Sequence, residues 1–149
     1  MSQSTRPASG ADENLVSVIS WKGVAIGSLV ALGLSMTLGR LTAGALQTNL
    51  GAQASMLFAS MFVGGLVAGK IAGRMGVIQG VAMAVIFILI GASMKAYTEI
   101  DLATKFGPQV LGPMDMGGLI LGDLVHLLGA CTGGWLADSL AARATRTTR

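Results

Sequence analysis

At 149 residues, with 52% apolar side chains, 11% charged ones and a mean hydropathy of +0.70, the chain is too apolar and too sparsely charged for a soluble domain of its size. Ten basic and seven acidic residues leave a formal charge of +3, spread over ends and loops with no basic cluster among aromatics, which argues against nucleic acid as a partner. The expected class is an all-α polytopic membrane protein whose first partner is the lipid bilayer.

In chain order, residues 1–14 are small and polar and predict a disordered N-terminal tail, because such a stretch cannot offset the entropy lost on ordering. Its start is not basic and no cleavage site is evident, so it is not expected to be a cleavable signal peptide. Residues 15–140 are expected to form one four-helix transmembrane domain. The first span is predicted over about 16–46, with Gly23 and Gly27 one turn apart and one embedded charge, Arg40. A short turn at 47–53 leads to the second span, about 54–73, closed by Lys70 and Arg74. Met75 and Gly76 leave almost no connector, so spans two and three must lie side by side and antiparallel. The third span, about 77–94, carries no charge, and its Val, Ile and Phe content predicts a lipid-facing helix with Ala84 on the lipid side. Residues 95–116 are the only long connection, with Glu99, Asp101, Lys105, Pro108, Pro113 and Asp115, and a short interfacial helix is expected near 101–106. The fourth span is predicted over about 117–140, followed by a basic C-terminal tail, 141–149, with Arg143, Arg146 and Arg149. Each segment is close to the twenty residues that cross a hydrocarbon core of about 30 Å.

A repeat organises the chain. The stretch from Phe62 to Arg74 recurs without gaps 65 residues later, matching Gly64, Gly65, Ala68, Gly69, Ile71 and Ala72 to Gly129, Ala130, Gly133, Gly134, Leu136 and Ala137. Small residues stand four apart in both copies, a spacing that lets helix backbones approach closely in lipid. Gly65, Gly69, Gly73, Gly129 and Gly133 are therefore predicted helix-packing positions of a glycine zipper. A shorter echo joins Gly23, Val24 and Gly27 to Gly76, Val77 and Gly80. Together these predict two tandem helical hairpins, 21–74 and 76–140, in parallel repeat about an axis along the membrane normal.

With both termini on the side of the Arg74 turn, that side holds Arg6, Lys22, Lys70, Arg74, Arg143, Arg146 and Arg149, and the other only Arg40, Lys95 and Lys105. The positive-inside rule then predicts the cell (inner) membrane with both termini cytoplasmic. Trp21 and Trp135 fall at the cytoplasmic interface and Tyr97 at the outer one.

Chemistry, if any, gathers at three ionisable residues inside the spans. Asp123 and His126 share one face of span four, and Arg40 lies at comparable depth in span one, so a polar cluster of Arg40, Asp123 and His126 is expected in the outer half of the bundle. Its plainest role is a structural ion pair. A proton relay has no further ionisable residue below His126. A metal site is short of ligands, so none is expected. No cofactor is expected either; the alternative is a pigment or haem on His126, with Gly122 one turn before it leaving room for a flat ring. Cys131 falls in an apolar helix, where a thiol acts as a small hydrophobe. The nine methionines are scattered like packing filler. Phosphate-binding, zinc-peptidase, nucleophile-elbow and Cys-x-x-Cys motifs are absent from the sequence, and the protein is not expected to be an enzyme.

The opening Trp21-Lys22-Gly23-Val24 with Gly27, and the Gly64-Gly65 with Gly69 that closes span two, make residues 21–140 resemble the small bacterial four-helix integral membrane proteins of unknown function. That resemblance implies no activity and transfers no functional residue. The four-helix proteolipids of rotary ATPases, also two fused hairpins, differ: here the carboxylate of span four, Asp123, lies nearer the outer end than mid-membrane, and the glycines sit on the other helix of each hairpin. The expected role is a non-catalytic accessory or scaffolding subunit that docks to other membrane subunits or to itself. The alternative is a homo-oligomeric channel or small-solute or ion transporter with the polar cluster near its outer mouth.

Overall fold

The computed structural model describes residues 18–42, 49–112 and 115–147. Its four long helices are α1 (Trp21–Thr42), α2 (Leu50–Ala72), α3 (Gly76–Phe106) and α4 (Met116–Thr147), with a 3-10 turn at Pro108–Val110 between the last two. All four are long and apolar enough to cross a membrane. Helix is the form that such segments require, because it satisfies every backbone group within the segment where no water can. Residues 1–14, read as a tail, and position 46, read as the end of span one, lie outside the described residues.

Local chemistry moves the element ends away from the hydropathy boundaries. The start of α1 is set at Ser20, whose hydroxyl accepts from Gly23 N–H (3.4 Å) and whose carbonyl accepts from Val24 N–H (2.9 Å), so residues 19 and 20 lead into the helix rather than belonging to it. α2 begins at Leu50 because Asn49 caps it, its Oδ1 accepting from Gly51 N–H (3.0 Å) and Ala52 N–H (3.3 Å). Residues 51–53, expected in the turn, are thus helical. Gly73 ends α2 in the left-handed conformation (φ 69°), its N–H returning to Gly69 O at 3.0 Å.

The larger corrections concern α3 and α4. α3 runs for 31 residues, so most of the expected long connection, including the short helix near 101–106, is a continuation of the third span. Charge ends an apolar segment but not a helix, and no glycine or proline interrupts 95–106; the i,i+4 pairs Lys95–Glu99 (3.9 Å) and Asp101–Lys105 (2.8 Å) sit on its exposed surface. Gly107 (φ 87°) and Pro108 stop it. The stretch expected as a basic tail is likewise helical as far as Thr147, since Ala, Leu and Arg after Asp138 are good helix formers.

The helices alternate in direction but do not form a square. α2 touches α1, α3 and α4, and its most extensive interface is with α4; α3 also touches all three others. Among the described residues α1 and α4 do not touch. α2 and α3 therefore form the short diagonal of the bundle, with α1 and α4 on opposite flanks. The buried core is made of Val24, Ala31, Met61, Met83, Ala84 and Ala130. Ala84 is fully buried, not on a lipid side: it continues the row Gly76, Gln79, Gly80 and Met83 that α3 turns to its neighbours. The outward row is Val77, Val81, Val85 and Leu89, so branched residues face out, while Gly76, Gly80 and Ala84 face in beside the longer Gln79 and Met83.

Candidate functional site

Small residues determine how closely the helices pass. A Cβ at Gly65 would overlap the carbonyl oxygen of Ala130, and one at Gly80 would overlap the same oxygen from the other side, so Ala130 of α4 is clamped between α2 and α3. Gly69 lies 3.4 Å from Gly134 Cα and 2.8 Å from Ala137 Cβ, measured from the position a Cβ would take. Gly129 similarly meets Phe58 O at 2.8 Å, and Gly133 meets Phe62 O. On the other flank a Cβ at Gly27 would lie 2.6 Å from Gly64 O and one at Gly64 2.7 Å from Gly27 O, with Met83 3.2 Å from either position. Four of the five predicted packing glycines thus stand at helix crossings. Gly73 does not: nothing lies within 4 Å of it, and its place is the left-handed cap of α2.

Two polar side chains tie helix ends together. Both carboxylate oxygens of Asp138, on α4, lie 2.8 Å from the Gly76 N–H that opens α3. Met75, the preceding residue, is left-handed (φ 50°) and offers no side-chain cap, so Asp138 supplies one from another helix and places a negative charge at the positive end of α3. Gln79, fully buried on α3, accepts from Ser20 N–H (2.9 Å) and donates to Val18 O (3.0 Å), fixing the lead-in of α1. Neither stands out by hydropathy. The signal for Gln79 was its solitude as the one amide between Gly76 and Ala92, since a lone polar group in such a segment needs a partner.

Of the ionisable residues singled out in the spans, Arg40 is placed apart from Asp123 and His126. Arg40 is exposed in the last turn of α1, and Asp123 and His126 are half-buried on α4. Because α1 and α4 do not touch, and no ion pair among the described residues includes Arg40 or Asp123, Arg40 and Asp123 are not brought together within the chain. His126 packs its ring against Phe87 of α3 (centroids 5.8 Å apart, planes 40° apart), and its Nδ1 is buried without a hydrogen-bond partner. Gly122, one turn earlier, has open space before it.

No family model matches the chain, and neither a curated protein nor a solved structure does. Two clefts flank the α2–α4 seam. One, of 290 Å³ at the Arg74 end, is lined by Lys70, Gly73, Asp138 and Ala141 among others. The second, of 300 Å³ at the opposite end, is bordered by Gly51, Gln53, Gly118 and Gly122. Among the described residues no three of His, Cys, Asp and Glu are grouped as a metal site would need.

Proposed function

We propose that the chain is an integral protein of the cell (inner) membrane, with both termini cytoplasmic, that acts as a non-catalytic accessory or scaffolding subunit. The observation that carries this reading is that Gln79 and Asp138 both bond backbone of other elements, the lead-in of α1 and the start of α3, and that the crossings around Ala130 are packed backbone against backbone. An interior of that kind holds helices in register and leaves its outer faces for lipid or for other subunits. The orientation rests on the seven-to-three division of basic residues. Labelling of Ser4→Cys and Thr104→Cys by an impermeant reagent tests it; reaction of position 4 from outside would overturn it.

The small-residue rows act in this reading as a glycine zipper inherited from a tandem duplication of a helical hairpin. In support, Gly65 stands against Ala130 and Gly69 against Gly134, and both pairs are 65 residues apart, the offset of the sequence echo. Equivalent residues meet in this way on a two-fold axis. The symmetry is incomplete, since α2 packs on α3 whereas α1 does not reach α4.

A second reading, a homo-oligomeric channel or transporter, is favoured by the buried, unpartnered Nδ1 of His126. Copurification from native membrane followed by mass determination separates the two: a stoichiometric larger partner supports the accessory role, and a homo-oligomer that passes ions or solutes across liposomes replaces it.

A further inference from the structure

Arg40 and Asp123 are opposite charges carried on opposite flanks of the bundle, at matching height. Gly23 packs on Ala68 and Ala72, and Gly69 in the same turn packs on Gly76, Gly134 and Ala137, so the start of α1 is level with the stretch of α4 near Ala137. From that level Arg40 stands about 25 Å along α1 and Asp123 about 20 Å along α4, at 1.5 Å per residue. The difference is within the reach of an arginine side chain. Within one chain the two cannot meet, because α2 and α3 lie between their helices.

The geometry points to a head-to-tail assembly of copies of this chain in the plane of the membrane, with α1 of one copy docked on α4 of the next and Arg40 of the first paired with Asp123 of the second. The inference rests on the reading of the chain as a membrane subunit and names its partner as itself. Each surface suits the contact. On α1, Leu29, Gly33, Met36 and Arg40 form one exposed row, and Gly33 has open space where a neighbouring backbone would lie. On α4, Ile120 and Leu124 are exposed on either side of Asp123. Charge complementarity selects the occupant: the chain carries both members of the pair, and a charge in an apolar surround is costly until it is matched. Because the two surfaces differ and face away from one another, the contact is heterologous. It closes as a ring when the rotation between copies allows, and otherwise continues as a row.

Heterologous pairing makes a distinctive forecast for mixed variants. In lipid nanodiscs or bicelles, the wild-type chain should form assemblies of more than two copies. Arg40→Met alone and Asp123→Leu alone should each weaken association by about tenfold or more, read as the protein-to-lipid ratio at half-association. An equimolar mixture of the two retains one intact Arg40–Asp123 contact per pair of chains, so it should stop at dimers. The double exchange Arg40→Asp with Asp123→Arg should restore the larger assemblies. Helical content measured alongside should be unchanged, since neither side chain holds the fold of one chain. A monomeric wild type at every ratio, single variants that associate as the wild type does, a mixture that grows past two, or a single variant that unfolds would each overturn the inference. Should the chain alone be monomeric yet copurify with a larger partner, the assembly fails while the accessory reading stands.

Discussion

Asp138 and Gly76 are 62 residues apart in sequence, and both carboxylate oxygens of the first lie 2.8 Å from the backbone N–H of the second. A helix start leaves N–H groups without partners, and here the residue that satisfies one comes from α4 rather than from the turn. The same contact joins the end of the second hairpin to its beginning. Asp138→Ala should therefore destabilise the bundle by about 0.5–2 kcal/mol, and Asp138→Asn, which keeps an acceptor, by less. Reversible unfolding in mixed micelles measures both, and equal stability of the alanine variant and the wild type would show that the cap contributes nothing.

Gln79→Leu removes the partner of two part-buried backbone groups, Val18 O and Ser20 N–H. Leaving a fully buried group unsatisfied costs about 1–3 kcal/mol, and these part-buried ones should cost less each. The expected loss appears as faster amide exchange at the start of α1, where Gly23 and Val24 depend on Ser20, with little change in the middle of α2.

Enlarging the crossings should be worse than enlarging the rim. A side chain at Gly133 would meet the backbone of Phe62 and Leu66, which cannot swing aside as a side-chain end can, and one at Gly69 would meet Gly76, Gly134 and Ala137. Gly133→Leu and Gly69→Leu should each cost more than the 1–3 kcal/mol or so typical of overpacking. Val85→Leu, on the outward row of α3, should be tolerated. Equal yields of folded protein for all three would refute the packing argument.

The three-residue turn between α2 and α3 contains two left-handed residues, Gly73 (φ 69°) and Met75 (φ 50°). Gly73 is free of steric conflict there, whereas a residue with a Cβ is strained. Gly73→Ala should destabilise by about 1 kcal/mol and Met75→Gly should stabilise by a smaller amount, since relief of strain is partly offset by the greater freedom of the unfolded chain. Thermal unfolding of the two variants side by side checks the opposite signs.

Four helices long and apolar enough to cross a membrane, and the antiparallel pairing of the middle two, were legible in the sequence because both follow from local quantities: the length of an apolar run and a connection too short for any other arrangement. The four-residue spacing of Gly65 with Gly69 and of Gly129 with Gly133 was legible for the same reason, as it is a property of a single helix, whereas the backbones they approach were not. Helix ends were less so. Hydropathy reports where the apolar surface stops, while the ends of α2, α3 and α4 obey Asn49, Gly107 and the helix-forming run after Asp138. What only the tertiary structure decided is which faces meet. Comparable depth suggested that Arg40 and Asp123 pair within the chain, yet depth is one coordinate of three, and α2 and α3 occupy the space between their helices. Richness in Val and Ile suggested that α3 faces lipid, yet a helix has two sides, and the row Gly76, Gln79, Gly80, Met83 and Ala84 turned inward, with the backbone of α4 so close at Gly76 and Gly80 that no side chain fits there. Sequence periodicity prescribes a helix and its stripes; the partner of each stripe is chosen by the close packing of all four helices at once.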